Sequence, residues 1–230
     1  MRKSRSKTAE TRCRIVESAA TAIRQRGIEG TSVNDLMAAA GLTHGGFYRH
    51  FDSKDQLIAE ACDLAFEAMS ASLSEACGTC AGEAAVGSAA EGVAQDAAKG
   101  AAEAVAEGPG QAAAGGVSGL RRIADSFLST ANRDERVAGC PLTSIGSELA
   151  RADAATRRVA TEGLLRTIDL FARQFPGLTP EDARSRAVAT LASMVGGITL
   201  ARIVDDPALS DEILRDVRSA VGAGLEEGSG

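Results

Sequence analysis

The segment Gly41-Leu42-Thr43-His44-Gly45-Gly46-Phe47-Tyr48-Arg49-His50-Phe51-Asp52-Ser53-Lys54 constrains this chain more than any other. Gly41 ends one short helix, Thr43 caps a second running to about His50, and Ser53-Lys54-Asp55-Gln56 opens another with an S-x-x-Q capping pattern. A short helix held behind a tight Gly turn needs an anchor, and Phe47 and Phe51, four residues apart, supply one face of apolar surface. Thr43, His44, Tyr48 and Arg49 are left as polar and cationic groups on so small an element. Gly45 and Gly46 add little bulk, so another molecule can come close to the backbone there.

The flanking sequence completes a small helical unit. A helix starting near Thr8, with Glu10 in its first turn, sets Ile15, Ala19 and Ile23 on one face and ends with Arg24 and Arg26 before Gly27. Ser32 caps the next helix with Asp35 at its third position, and Val33, Leu36, Met37 and Ala40 point inward. The helix opened by Ser53 carries Leu57, Ile58, Ala61 and Leu64. Three helices thus surround a two-helix motif.

Charge divides the chain in the same place. The net charge is -6, but residues 1–54 hold 10 Lys and Arg against 5 Asp and Glu, leaving 15 against 26 for the remainder. A basic head on an acidic body suits a protein that meets phosphate through its head alone. Aromatic residues are 3% of the chain and Trp is absent, so the interior is built from Ala, Leu, Val and Ile, a composition that favours packed helices. No apolar run approaches the roughly 20 residues that span a bilayer. The basic start, Met1 to Lys7, is followed by charge and not by a signal core, and the expectation is a cytoplasmic protein without membrane partners.

From Cys77 to Gly119 the chain is mostly Ala and Gly, with Val86, Val93, Val105 and Val117 as its only large apolar residues. Residues 70–119 are therefore expected to form a linker or frayed helix. Periodicity returns at Leu120, Ile123, Phe127 and Leu128. Pro141 opens a helix through Leu142, Ile145 and Leu149, and a longer one spans about Ala154 to Phe175 with Val159, Leu164, Leu165, Ile168 and Phe171 inside. Thr179-Pro180-Glu181-Asp182 is a strong helix start. The helix it opens bears Val188, Leu191, Val195, Ile198 and Arg202 with the small residues Ala192, Gly196 and Gly197 beside them. Leu209, Ile213, Val217 and Val221 mark the last helix, and these two helices, about 180–204 and 208–222, look like an interface.

Gly27-Ile28-Glu29-Gly30-Thr31-Ser32-Val33, Gly41-Leu42-Thr43 and Gly46-Phe47-Tyr48-Arg49-His50-Phe51, together with the Ser53-Lys54-Asp55 helix start, resemble the tetracycline-repressor (TetR) family of bacterial transcription regulators at the family spacing. The resemblance covers roughly residues 9–69. It implies an all-α chain: a three-helix DNA-binding domain over 9–69 with its helix-turn-helix at about 32–51, and an effector-binding and dimerisation domain over 120–225. It also implies base or near-base contacts from Thr43, His44 and Gly46, and phosphate contacts from Thr31, Ser32, Tyr48, His50 and Lys54. The expected partners are a palindromic double-stranded operator, a second copy of the chain through the last two helices, and a small effector that relieves repression. A pocket for that effector is expected among Phe127, Leu128, Cys140, Ile145, Leu164 and Phe171, whose apolar character suggests an apolar or weakly polar ligand.

Other chemistries find less support. His44 and His50, six apart, do not share a helical face, and Cys77-Gly78-Thr79-Cys80 has no second pair, so neither metal nor cofactor is expected. Five cysteines, Cys13, Cys62, Cys77, Cys80 and Cys140, read as free thiols. Gly139-Cys140-Pro141 puts Cys140 at a helix N-terminus, where the dipole lowers a thiol pKa, and some relatives sense electrophiles or oxidants through cysteine. A switch at Cys140 is therefore the alternative reading. A helical carrier or enzyme with a vestigial head is a remoter one, since no catalytic set or phosphate loop occurs.

Overall fold

A computed structural model describes residues 2–77, 115–135 and 140–226, and every regular element among them is helical. The head comprises α1 (Arg2–Arg26), α2 (Val33–Ala39), a 3₁₀ segment (His44–Arg49) and α3 (Lys54–Ala76). The body comprises α4 (Gly115–Phe127), α5 (Thr130–Asp134), α6 (Pro141–Ser144), α7 (Gly146–Leu149), α8 (Ala154–Ala172), α9 (Pro180–Ile203) and α10 (Pro207–Glu226). Of the expected linker, residues 70–76 belong to α3 and 115–119 to α4, while 78–114 lie outside the described residues.

Local chemistry sets the head elements. Ser32 and Asp35 form a reciprocal capping box at the start of α2. Ser53 accepts from the Gln56 amide as expected, but the Gln56 side chain takes the Asp52 amide, one residue earlier than an ordinary box. Gly27 and Gly41 have φ of 82° and 71°, left-handed conformations that glycine alone adopts freely, and these turn the chain out of α1 and α2. α1 begins at Arg2, ahead of the expected Thr8.

Ile15, Ala19 and Ile23 of α1, Leu36 and Met37 of α2, Phe47, Phe51, and Leu57, Ile58 and Phe66 of α3 close the head core. Each large side chain so buried stabilises by roughly 1.5–3 kcal/mol before entropy is counted. A second core holds Leu120 and Leu128, Phe171 and Phe175, Met194 and Ile198, and Leu225.

Three expectations change in the body. The helix expected from Pro141 to Leu149 breaks at Ile145, whose φ of -129° separates α6 from α7, and Ile145 and Leu149 are buried in the head core. On α9 the expected stripe splits: Leu191 and Ile198 face the core, while Val188 is exposed along with Leu200 and Ile203. With apolar residues on both sides, α9 is long and apolar enough to cross a membrane by length and composition, contrary to the expectation that no such segment exists. Its buried side packs against α8 and α10.

Candidate nucleic-acid interface

The 3₁₀ segment is built by steps of three. The Gly46 amide donates to the Thr43 carbonyl at 3.1 Å and the His50 amide to the Phe47 carbonyl at 2.9 Å. Two adjacent glycines weaken the α-helical alternative, although six residues is a long run for the tighter helix. Thr43 sits at the N-cap without a side-chain capping bond, so its hydroxyl is not spent on the helix, contrary to the expected cap.

Phe47 is fully buried and stacks with Phe51 at 5.7 Å between ring centroids. From that anchor Tyr48 stands out, 69% exposed, with its ring edge-on to Phe47 at 5.2 Å and to His44 at 6.3 Å. Thr43, His44, Gly45, Tyr48 and Arg49 are all exposed. Gly46 is half-buried and backs on the core, where a methyl group in place of its hydrogen would lie 3.6 Å from the Met37 side chain. One short element therefore presents a hydroxyl, an imidazole, a phenol and a guanidinium around a bare glycine backbone.

Four expected phosphate contacts sit differently from one another. Thr31 is fully buried and its hydroxyl donates to the Gly27 carbonyl at 2.6 Å; this side chain closes the turn and leaves the expected set. Ser32 is exposed, but its amide and hydroxyl both donate to the Asp35 carboxylate, so reaching a phosphate costs a capping bond. Those same bonds from Ser32 hold the Asp35 carboxyl below its ordinary range. Lys54 is half-buried, donating to the Ile28 carbonyl at 3.0 Å with two ammonium protons left. His50 is half-buried, and its Nδ1 has no hydrogen-bond partner among the described residues.

Arg12 carries no mark in the sequence, yet it braces this interface. Both of its terminal nitrogens meet the Glu60 carboxylate at 2.6 Å, its Nε donates to the His50 carbonyl at 3.3 Å, and its guanidinium lies 4.6 Å from the Phe51 ring centre. It ties the end of the 3₁₀ segment to α1 and α3 at once. A partner 48 positions away leaves no local signal.

The six residues expected around an effector do not share one site. Leu128 and Phe171 are fully buried in the body core, with Phe127 and Leu164 half-buried against it, whereas Ile145 lies in the head core because the break between α6 and α7 turns it there. Cys140 is half-buried with its Sγ 3.3 Å from the Met69 sulfur. Burial pushes its thiol up to about 11, overriding the Leu142 and Thr143 amides and the Arg202 charge, so the expected lowering by the helix end does not occur. A cleft of about 300 Å³ opens elsewhere, where α5 meets the α9–α10 turn, lined by Arg133, Asp134, Arg202, Asp205 and Ser210 among others. It contains none of the six. Its walls are polar, unlike the expected apolar pocket.

The sequence model for bacterial regulatory proteins of the tetR family matches residues 15–61, and that for the C-terminal domain of LmrA/YxaF-like transcriptional regulators matches residues 116–218. The chain belongs to the TetR family. An uncharacterised HTH-type transcriptional regulator of Mycobacterium tuberculosis is 26% identical over 224 residues, covering 94% of this chain and 96% of that protein. The regulator TtgR of Pseudomonas putida is 34% identical over 67 residues, 29% of this chain and 32% of its own. Among solved structures, a TetR regulator from Chloroflexus aurantiacus superposes with a TM-score of 0.66 at 24% identity, covering 96% of both chains. NemR of E. coli in its reduced form does so with a TM-score of 0.61 at 18% identity, covering 92% of this chain and 94% of NemR. The protein is thus an all-α TetR-family transcriptional regulator with a DNA-binding helix-turn-helix head.

Proposed function

We propose that the chain acts in the cytoplasm as a homodimeric repressor that leaves a palindromic operator when a small molecule binds the body. The observation that carries this reading is the exposed set Thr43, His44, Tyr48 and Arg49 on a segment pinned by the buried Phe47. Thr43, His44 and Gly46 would lie against base edges, and Tyr48, His50 and Lys54 against phosphates. Two such segments must enter successive major grooves about 34–36 Å apart, so a second copy is required.

The exposed face of α9, with Ala192 and Gly196 between Val188, Leu200 and Ile203, is the surface suited to that copy, with Leu209 of α10 beside it. Small residues there let two helices approach closely, and exposed apolar side chains gain by burial. An effector that favours a different separation of the two heads releases the DNA, because it can shift the equilibrium only by its differential affinity for the two forms. A protein of the same fold, AibR, has been solved with isovaleryl coenzyme A and operator DNA together, at 21% identity and a TM-score of 0.53. Release through Cys140 chemistry is the weaker reading, since a thiol pushed up to about 11 is almost wholly protonated at neutral pH.

The test is a gel shift with the DNA upstream of the gene, repeated across salt concentrations. A sequence-specific complex that weakens steeply with salt is expected; equal affinity for unrelated duplexes of the same length ends the repressor reading.

A further inference from the structure

The turn that leads from α1 into α2 is held from two sides. Within it, the Gly27 amide donates to Ile23 and the Thr31 amide to Ile28, whereas the amides of Ile28 and Glu29 both donate to a single carboxylate oxygen of Glu148 on α7, the second at 3.2 Å. From the opposite side Lys54 donates to the Ile28 carbonyl. A methyl group on Gly27 would collide with the Glu148 carboxylate, so the glycine that turns the chain also makes room for this acid. α7 is fixed in place because Ile145 and Leu149 on either side of Glu148 are buried in the head core. The preceding α6 is tied to the body, where Arg202 of α9 donates to Thr143.

We propose that Glu148 is a positioning residue for the DNA-reading head: it locks the turn before α2 to α7, which the body-tied α6 leads into, so that the placement of α2 follows the position of α7. The proposal rests on the operator-binding reading above. A charged acceptor serving two amides is stronger than a neutral one, and both amides belong to the turn that delivers Ser32 and buttresses Lys54. Arg151, 3.8 Å from Glu29 on the exposed rim, is too solvated to do the same and serves as a control.

The experiment uses the full-length protein, its Glu148→Ala, Glu148→Gln and Arg151→Ala variants, and the duplex that the parent protein selects from a randomised pool. Glu148→Ala is expected to speed amide hydrogen exchange at Ile28 and Glu29. It should also lower affinity for the selected duplex by about tenfold, leave affinity for a random-sequence duplex unchanged, and soften the penalty for inserting one base pair between half-sites. Glu148→Gln, which keeps one carbonyl acceptor, falls between, and decides the matter if the alanine variant does not fold. Arg151→Ala matches the parent. Unchanged exchange at the two amides overturns the lock, as does an unchanged spacing penalty or an equal loss on both duplexes. Failure of the parent to select any palindrome sinks the operator reading instead, and the exchange measurement still judges Glu148.

Discussion

Phe66 of α3 occupies the space that a side chain on Gly163 of α8 would need: a methyl group there would fall on the phenyl ring itself. Head and body thus meet at a seam where, at this point, α3 supplies bulk and α8 supplies none. Gly163→Ala is expected to destabilise by about 1–3 kcal/mol, the usual cost of overpacking, although alanine is the better helix former. Thermal unfolding should show a Tm lowered by several degrees, and Phe66→Leu added to Gly163→Ala should recover part of the loss.

At the DNA face the two contact types should separate. Tyr48→Phe removes a hydroxyl and no packing, so affinity should fall by a similar factor on every sequence, and Lys54→Ala should also flatten the salt dependence by about one charge. Thr43→Val should change which bases are selected at one position of each half-site. Unchanged selection by that variant would remove Thr43 from the groove.

For dimerisation, Gly196→Arg and Leu200→Glu place charge on the exposed face of α9, where Leu200 is 53% and Ile203 71% exposed. Sedimentation should find monomers that keep full helical content, and affinity for a two-half-site duplex should drop to that for one. Dimers surviving both changes would move the interface elsewhere.

Burial lifts Cys62 to about 12 and Cys77 and Cys140 to about 11 from an ordinary 9.0. Between pH 9 and these values the unfolded chain gives up thiol protons that the folded one keeps, so folding stability falls as pH rises through that window and is untouched by these groups below it. Denaturant titrations from about pH 8 to 11 should show the decline, reduced in Cys62→Ala/Cys140→Ala. Under limiting maleimide at about pH 7, mass spectrometry should find the exposed Cys13 labelled well before Cys62 or Cys140.

The chain leaves α3 at Cys77 and comes back to the same spot, since a methyl group on Gly119 would lie 2.9 Å from the Cys77 Cα, and Arg122 donates to the Ala76 carbonyl at 3.1 Å.

What is legible in the sequence follows the range of the interactions. The Ser32–Asp35 box, the Gly27 and Gly41 turns and the Phe47–Phe51 anchor all act within a few residues, and the motif shows them directly. Thr31 departs from what the resemblance implies because its buried hydroxyl closes the turn on Gly27, a use that the motif does not reveal. Ile145 and Leu149 read as body residues because periodicity says that a side chain is buried but not against what. Cys140 departs from expectation for an energetic reason: its position at a helix start is visible in the sequence, and the burial that outweighs it is not.

Leu142, Ile145 and Leu149 complete a core whose other members come mainly from residues 15–69. A head grafted onto a foreign body would carry an unfilled hollow unless the stretch 142–149 travelled with it, so exchanging the signal that this head obeys means moving two distant segments together.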